Sequence, residues 1–322
     1  MNRLSNTIAL TIVAATLDSA PILFASQEAR LTNLGTLPGG MQTEAAAINE
    51  RGQVVGVTWD ASGERHAFLW QDGAMTDLGA GVARDINNRG EVVGGADGLY
   101  HAFIWHDGVF TDLGTLPGDS SSLAEAINER GQVVGLSQSK QGTHAVLWQS
   151  GTITDLGALP GASYSAASAI NERGEVVGWG DSEGHGAHAI LWRDGAIIDL
   201  GTLPGWSQCL ASAINERGQV VGYCVYSGVP DVHAFIWEDG TMIDLGMLPG
   251  DTRTWASSIN DHGQVVGFSY SDGSGESHAF LWHDGEFTDL TLPGEFYVAE
   301  GTNNRGQIVG SSYLLTFQGS VQ

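Results

Sequence analysis

Ile48-Asn49-Glu50-Arg51-Gly52-Gln53-Val54-Val55-Gly56 is the stretch that decides the fold, because the chain repeats it. The pattern Ile-Asn-x-x-Gly-x-Val-Val-Gly returns from Ile86, Ile127, Ile170, Ile214 and Ile259. A seventh copy, Thr302 to Gly310, has lost the isoleucine. Two further strings keep the same interval. His66-Ala67-Phe68-Leu69-Trp70-x-Asp72-Gly73 recurs from His101, His144, His188, His233 and His278. Asp77-Leu78-Gly79 recurs from Asp112, Asp155, Asp199 and Asp244, with the variant Asp289-Leu290-Thr291 and a first copy at Asn33-Leu34-Gly35. The period is 38 to 45 residues, and it covers nearly everything after residue 28. A fixed period of this size marks a repeat architecture.

Each period holds four short apolar runs. Asn-x-x-Gly is a turn signal with a glycine in the left-handed position, so the runs on either side form a hairpin. Asp72-Gly73, between Phe68-Leu69-Trp70 and Met75-Thr76-Asp77, is a two-residue hairpin signal for the next pair. The order is A (Ala-x-Ala-Ile-Asn), B (Gln-Val-Val-Gly), C (His-Ala-Phe-Leu-Trp) and D (Thr-Asp-Leu-Gly), after which Thr-Leu-Pro-Gly leads to the next A. Four antiparallel strands per unit of this length is the blade of a β-propeller. The chain opens with a lone D strand, Leu31 to Gly35, and closes with A, B and a C-like run ending at Phe317. Together these make one complete blade. The expected fold is all-β: a seven-bladed propeller of four-stranded blades over residues 28–322, its ring closed by the N-terminal strand joining the C-terminal blade.

Composition narrows the partners. There are 37 acidic and 13 basic residues in 322, a formal charge of −24, and Lys140 is the only lysine. That surface repels phosphate backbones and excludes nucleic acid as a natural partner. Met1-Asn2-Arg3 followed by the apolar run Thr7 to Leu17 is too short to span a bilayer and reads as a signal peptide over residues 1–27, with cleavage near Ala25-Ser26. The expectation is a secreted, extracellular or periplasmic monomer with no membrane span.

The His-Ala-Phe-Leu-Trp and Asp-Leu-Gly-Thr-Leu-Pro-Gly strings resemble those of the bacterial HAF-repeat extracellular proteins. The resemblance covers almost the whole chain after residue 28. It implies secretion and a propeller-like fold, and it carries no activity.

Six histidines in equivalent places invite a metal reading, but the hairpin register favours a structural one. If Asp72-Gly73 is the turn, Phe68 faces Asp77, and His66 becomes Asp77's diagonal neighbour. The same eleven-residue spacing joins His101 to Asp112, His144 to Asp155, His188 to Asp199, His233 to Asp244 and His278 to Asp289. Each blade is expected to hold its own His–Asp hydrogen bond. Trp70 and its equivalents Trp105, Trp148, Trp192, Trp237 and Trp282 are expected to fill the space between blades. The Asn of each Asn-x-x-Gly turn is expected to bond local backbone.

Function is sought where the copies differ. The D-to-A connections and B-to-C loops emerge on one face and bring Tyr164, Trp206, Arg253, Phe296, Tyr297, Trp59 and Trp179. Aromatic rings beside polar groups suit a carbohydrate, peptide or protein ligand. The second blade lacks most of its D-to-A connection between Gly79 and Ile86, so the rim should be notched there. Two acidic glycine-rich loops, Asp181 to Gly184 and Ser271 to Glu276, offer oxygens for Ca²⁺, but match no EF-hand spacing, and solvated turns are the stronger expectation. No other cofactor is implied, and no catalytic signature is present. Cys209 and Cys224 flank one A–B hairpin: a plain two-residue turn sets them opposite each other, and a glycine bulge sets them one step apart.

The leading reading is a non-enzymatic binding module. The alternatives are a polysaccharide hydrolase or lyase using carboxylates such as Asp119, Asp251 and Glu295 at the channel mouth, and a structural envelope or matrix component.

Overall fold

The computed structural model describes residues 7–9, 28–98, 100–182, 186–226, 231–292 and 296–318. The cleavage zone, and Glu183, Gly184 and Glu295 among the loop candidates, lie outside the described residues. Every regular element among the described residues is a β-strand, and no helix is long and apolar enough to cross a membrane.

The strands fall into antiparallel four-stranded units in the order A-B-C-D. The third unit, for example, runs Ser121–Ile127, Val133–Gln138, Thr143–Gln149 and Thr152–Asp155. Phe68 pairs with Asp77 and Trp70 with Met75 around the Asp72-Gly73 turn. Both turn residues have positive φ, 51° and 84°, which is the twist that lets right-handed strands return on themselves. The first and second units share one continuous strand, Ala74–Ile86, which serves as D of one and A of the next. The missing Thr-Leu-Pro-Gly segment leaves no connection there to interrupt it. At the other end of the sequence, Glu28–Asn33 pairs with Tyr313–Gln318, so the two ends of the chain meet in one sheet. Thr7–Ala9, from the stretch read as a signal peptide, pairs along the outer side of Glu28–Asn33.

The core lies between units rather than within them. Seven buried clusters each draw on two successive units, because a single sheet has nowhere else to bury its faces. Trp148 and Trp192 are 4% and 5% exposed in two of these clusters. Leu34, Val309 and Leu314 of the last unit pack with Ala45, Val54 and Trp70 of the first.

The turn asparagines do more than shape their own hairpins. Asn49 Oδ1 accepts from the Arg51 and Gln53 amides, the expected local bonds, at 3.0 Å each. Its Nδ2 donates across to the Asn87 carbonyl of the next unit at 2.9 Å. Asn87 donates to Asn128, Asn128 to Asn171, Asn171 to Asn215, Asn215 to Asn260, Asn260 to Asn303, and Asn303 back to Asn49, at 2.9–3.3 Å. The following residue forms a second circuit. The Glu50 amide donates to Asn88 Oδ1, and the series continues through Glu129, Glu172, Glu216, Asp261 and Asn304 back to Glu50, at 2.6–2.8 Å.

The last glycine of Val-Val-Gly has a steric reason. A Cβ on Gly135 would collide with the Leu123 carbonyl oxygen, because strand A bulges towards strand B at that level. Backbone atoms cannot give way, so Gly135→Ala should cost about 2–4 kcal/mol in equilibrium urea unfolding. Asn171→Ala should cost a similar amount, roughly 2–4 kcal/mol, since it strands two amides in its own turn and the Asn215 carbonyl of its neighbour.

Candidate functional site

The bulge in strand A decides which residues vary and where they point. In six units the register with strand B shifts by one, and the extra residue stands three before the turn asparagine: Ala46, Arg84, Glu125, Ser168, Ser212 and Ser257. Glu300 holds the same place before Asn303. A bulged residue leaves the strand's alternation, so its side chain is freed from packing between sheets. All seven line one cavity of about 240 Å³ to which every unit's A strand contributes. This central position was visible in the sequence as the x of Ala-x-Ala-Ile-Asn. Its uneven filling, with alanine, arginine, serine and glutamate among the seven copies, was the missed signal, because attention to variation went to the loops.

A second cavity, of about 430 Å³, adjoins it towards the loop-bearing face. Glu44, Arg84, Glu125, Tyr297, Glu300 and Ser311 line it with small apolar residues of the first, second and seventh units. Two of these units have shortened connections. The second has no D-to-A segment, and the seventh turns from B to C through Ser311-Ser312 alone. The expected notch therefore coincides with the cavity.

The charges there are unequal. Arg84 Nε lies 3.6 Å from Glu125 Oε2. Burial pushes the Glu125 carboxyl up, and the Arg84 charge draws it back. Burial also drives Glu300 up to about 7; a hydrogen bond with Ser257 opposes this, the Glu44 charge adds to it, and Arg84 opposes it. Deeper in the wall, burial raises Asp85 to about 6 against two amide bonds, from Ile127 and Ile86. Ser311, held at a left-handed φ of 48° by its tight turn, has an Oγ shut off from solvent with no hydrogen-bond partner.

The loop candidates are dispersed. Tyr297, 47% exposed, is the one that lines the larger of these two cavities. Tyr164 is exposed, and Trp59 and Trp179 are half-buried on separate units. Trp206 leans on the His233 ring at 4.6 Å and meets Tyr226 edge-on. Arg253 is engaged by Asp272 at 2.5 Å and sits over the Tyr270 ring. Phe296 is a correction: it is fully buried in the core between the sixth and seventh units and offers no ligand surface. The expected carboxylates also differ. Asp251 is 8% exposed and accepts from Ser269, and Asp119 accepts from Ser137, so both are committed to the frame.

The histidines sit beside carboxylates. His66, His101, His144, His188 and His233 place Nδ1 within 2.7–3.2 Å of Asp77, Asp112, Asp155, Asp199 and Asp244. His278 departs from the expected pairing with Asp289 and meets Asp251 at 2.9 Å, because that buried carboxylate lies closer and needs a donor. Asp289 keeps the bond from the amide two residues on, here Thr291, that its equivalents also accept. Asp272 of the second candidate Ca²⁺ loop is taken by Arg253 and Thr252. Asp60, Glu64 and His66 lie within 4.8 Å of one another, but Asp60 already closes its own loop by accepting from Ser62 and the Glu64 amide. Cys209 and Cys224 form a disulfide, Cα atoms 4.0 Å apart. The bulge at Ser212 cancels the offset introduced by the five-residue turn, which sets the two cysteines opposite each other.

No family model matches the chain, and no curated protein sequence does. Among solved structures it is similar to the β-propeller domain of the trilobed protease from Pyrococcus furiosus, with TM-score 0.55 and 12% identity over 87% of this chain and 95% of that one. It is similar to a puromycin-hydrolyzing peptidase of Mycobacterium tuberculosis, with TM-score 0.57 and 12% identity over 86% of this chain and 52% of that one. TolB from Acinetobacter baumannii gives TM-score 0.54 and 10% identity over 75% of this chain and 64% of that one. The chain spans about half the length of that peptidase. At such identities the likeness shows the fold alone: the chain is an all-β protein of the propeller kind.

Stability should carry the mark of the buried acids. Glu300 and Asp85 have folded-state values above their ordinary ones, so the native chain binds their protons more tightly than the unfolded chain. Their contribution is complete below about pH 4 and is lost as pH rises through about 6 and 7. Glu300→Gln should therefore gain stability relative to the parent between pH 5 and pH 8, by roughly 1–3 kcal/mol in urea unfolding.

Proposed function

We propose that this chain is a seven-bladed propeller of the HAF-repeat kind that works outside the cytoplasm as a monomeric, non-enzymatic binding module. Its ligand is a small polar molecule or chain end, carbohydrate or peptide, taken into the mouth of the central channel. Blade number and closure are supported by the seven-membered asparagine circuit and by the pairing of Glu28–Asn33 with Tyr313–Gln318. The disulfide fits an oxidising compartment.

The observation that carries the binding reading is the convergence of unlike residues in a like frame. A frame repeated seven times needs nothing particular at its bulge position. Even so, Arg84, Glu125 and Glu300 stand there on three units around one cavity, with Glu44 and Tyr297 at the rim. Convergent polar groups in a concave site are the usual sign of a ligand pocket. A polysaccharide-cleaving enzyme is the second reading. It is favoured by burial raising Glu300 to about 7 beside Glu125, whose own rise Arg84 opposes, a pairing of unlike carboxyls that acid–base chemistry uses.

A glycan and peptide array probed with the mature protein tests both. Binding that falls at least tenfold in Tyr297→Ala and Glu300→Gln is the expected result, whereas a hit untouched by either change places the site elsewhere. Shortened products from a bound polysaccharide, absent with Glu300→Gln, would replace the binding module with the enzyme.

A further inference from the structure

We infer that the first unit carries a binding site for a divalent transition-metal ion, built from Asp60, Glu64 and His66 around its B-to-C loop. The site is separate from the cavity discussed above and does not depend on the ligand proposed there.

The donors are mixed and close together. One ligand atom from each of the three side chains lies within 4.8 Å of the other two. Ligands held at about 2.0–2.2 Å from one zinc-like ion stand at most about 4.4 Å apart, so small side-chain movements close the site. The loop bonds of Asp60, from the Ser62 amide and hydroxyl and the Glu64 amide, all end on Oδ1. They fix the direction of the carboxylate and leave Oδ2 without a partner among the described residues. The Ser62 hydroxyl, and after it the Glu64 amide, hold this carboxyl below its usual range, so it is ionised at neutral pH. His66 has Nδ1 at 3.2 Å from Asp77 Oδ2. With its proton on Nδ1 the ring offers the Nε2 lone pair, and a carboxylate behind the ring is how metal-binding histidines are commonly oriented. Glu64 is exposed and has no ion-pair partner among the described residues.

The sixth unit supplies the independent observation that points to a cation. The spacing Asp-x-Ser-Gly-Glu-x-His occurs twice in the chain, at Asp60 to His66 and at Asp272 to His278. In the sixth unit the chain provides its own cation. Arg253 Nη2 lies 2.5 Å from Asp272 Oδ1, and His278 turns to Asp251. Among the described residues it is the first unit's trio, and not the sixth's, that converges. Gln42 occupies the strand position of Arg253 in the first unit, since it pairs with Trp59 as Arg253 pairs with Tyr270. Gln42 donates to Glu44 and brings no charge. Arg65, within the loop's own sequence, is drawn away to Asp97 of the second unit at 2.5 Å. The first loop thus keeps the acidic donors of the sixth and lacks its guanidinium.

The donor set selects the ion. Calcium takes about six to eight oxygen ligands, and magnesium also prefers oxygen. Two carboxylates with an imidazole suit Zn²⁺, Co²⁺ or Ni²⁺ instead. Three protein ligands leave at least one position to water. His101, His144, His188 and His233 keep their aspartate partners, but among the described residues no acidic pair converges on them, so one ion per chain is expected.

Isothermal titration of the mature protein with ZnCl₂, and separately with CaCl₂, at pH 7.5 in a non-chelating buffer tests this. Zn²⁺ should bind one-to-one and at least tenfold tighter than Ca²⁺. Glu64→Gln and His66→Gln should each weaken it at least tenfold, whereas Glu276→Gln in the sixth unit's loop should leave it unchanged. Co²⁺ should give visible absorption bands that the first two variants diminish, a signature that reports coordination and not stability. Glu64→Gln, at an exposed position of the loop, decides the matter should His66→Gln fail to fold. Absence of saturable Zn²⁺ binding overturns the inference. So does Ca²⁺ binding as tight as that of Zn²⁺, or Zn²⁺ binding that the Glu64 and His66 variants leave unchanged. The glycan and peptide array, run without added metal, reads the proposed ligand pocket separately, so either reading can fail without the other.

Discussion

A carboxamide carries a donor and an acceptor at opposite ends of one small planar group, and this chain uses that property seven times. The oxygen of each turn asparagine ties down its own hairpin, and the nitrogen reaches the carbonyl of the next unit's turn. Aspartate would lack the donor, and glutamine would place both ends a bond too far. Buried as it is, each amide must satisfy both ends or destabilise the fold. The spacing of neighbouring units is therefore set by side chains belonging to the turns themselves. Apolar packing between sheets supplies most of the favourable free energy, but it is non-directional and would tolerate sliding.

Two other repeated features follow from that constraint. The turn places its residues so that strand A acquires one too many, and the bulge absorbs it. The bulge in turn brings a carbonyl against strand B, where only glycine leaves room. Asn-x-x-Gly and Val-Val-Gly are thus two ends of one geometric requirement. The extruded residue is released from the core, and so the cavity that the A strands share is where this scaffold tolerates chemical variety.

Beyond the turns, the polar edge differs from unit to unit. Ser122 and Ser137 stand opposite each other in the third unit, Thr254 and Ser269 in the sixth, and Cys209 and Cys224 in the fifth. Hydroxyls there bond neighbouring backbone, as Ser122 does with Ala102 and Gly114. The cysteines bond each other instead. The same local freedom lets His278 abandon its hairpin partner for Asp251.

The strand order, the register of the C–D hairpin and the His66–Asp77 type of pair were legible in the sequence, because each depends on residues within a few positions of one another. The disulfide was left open, since its register turns on whether a bulge compensates a turn. Phe296 was misplaced for a related reason: an aromatic residue in a variable connection reads the same whether it faces solvent or the next sheet. The asparagine circuit joins residues 38 to 45 positions apart, and 254 for the closing bond. No local pattern announces such bonds, although the repeat itself carries their donor and acceptor. The cavity of Glu44, Arg84, Glu125 and Glu300 joins units one, two, three and seven, which become neighbours only when the ends of the chain meet. Periodicity alone determined what each unit is. What the units enclose was decided by tertiary structure, because burial and the field of neighbouring charges exist only once the strands are assembled.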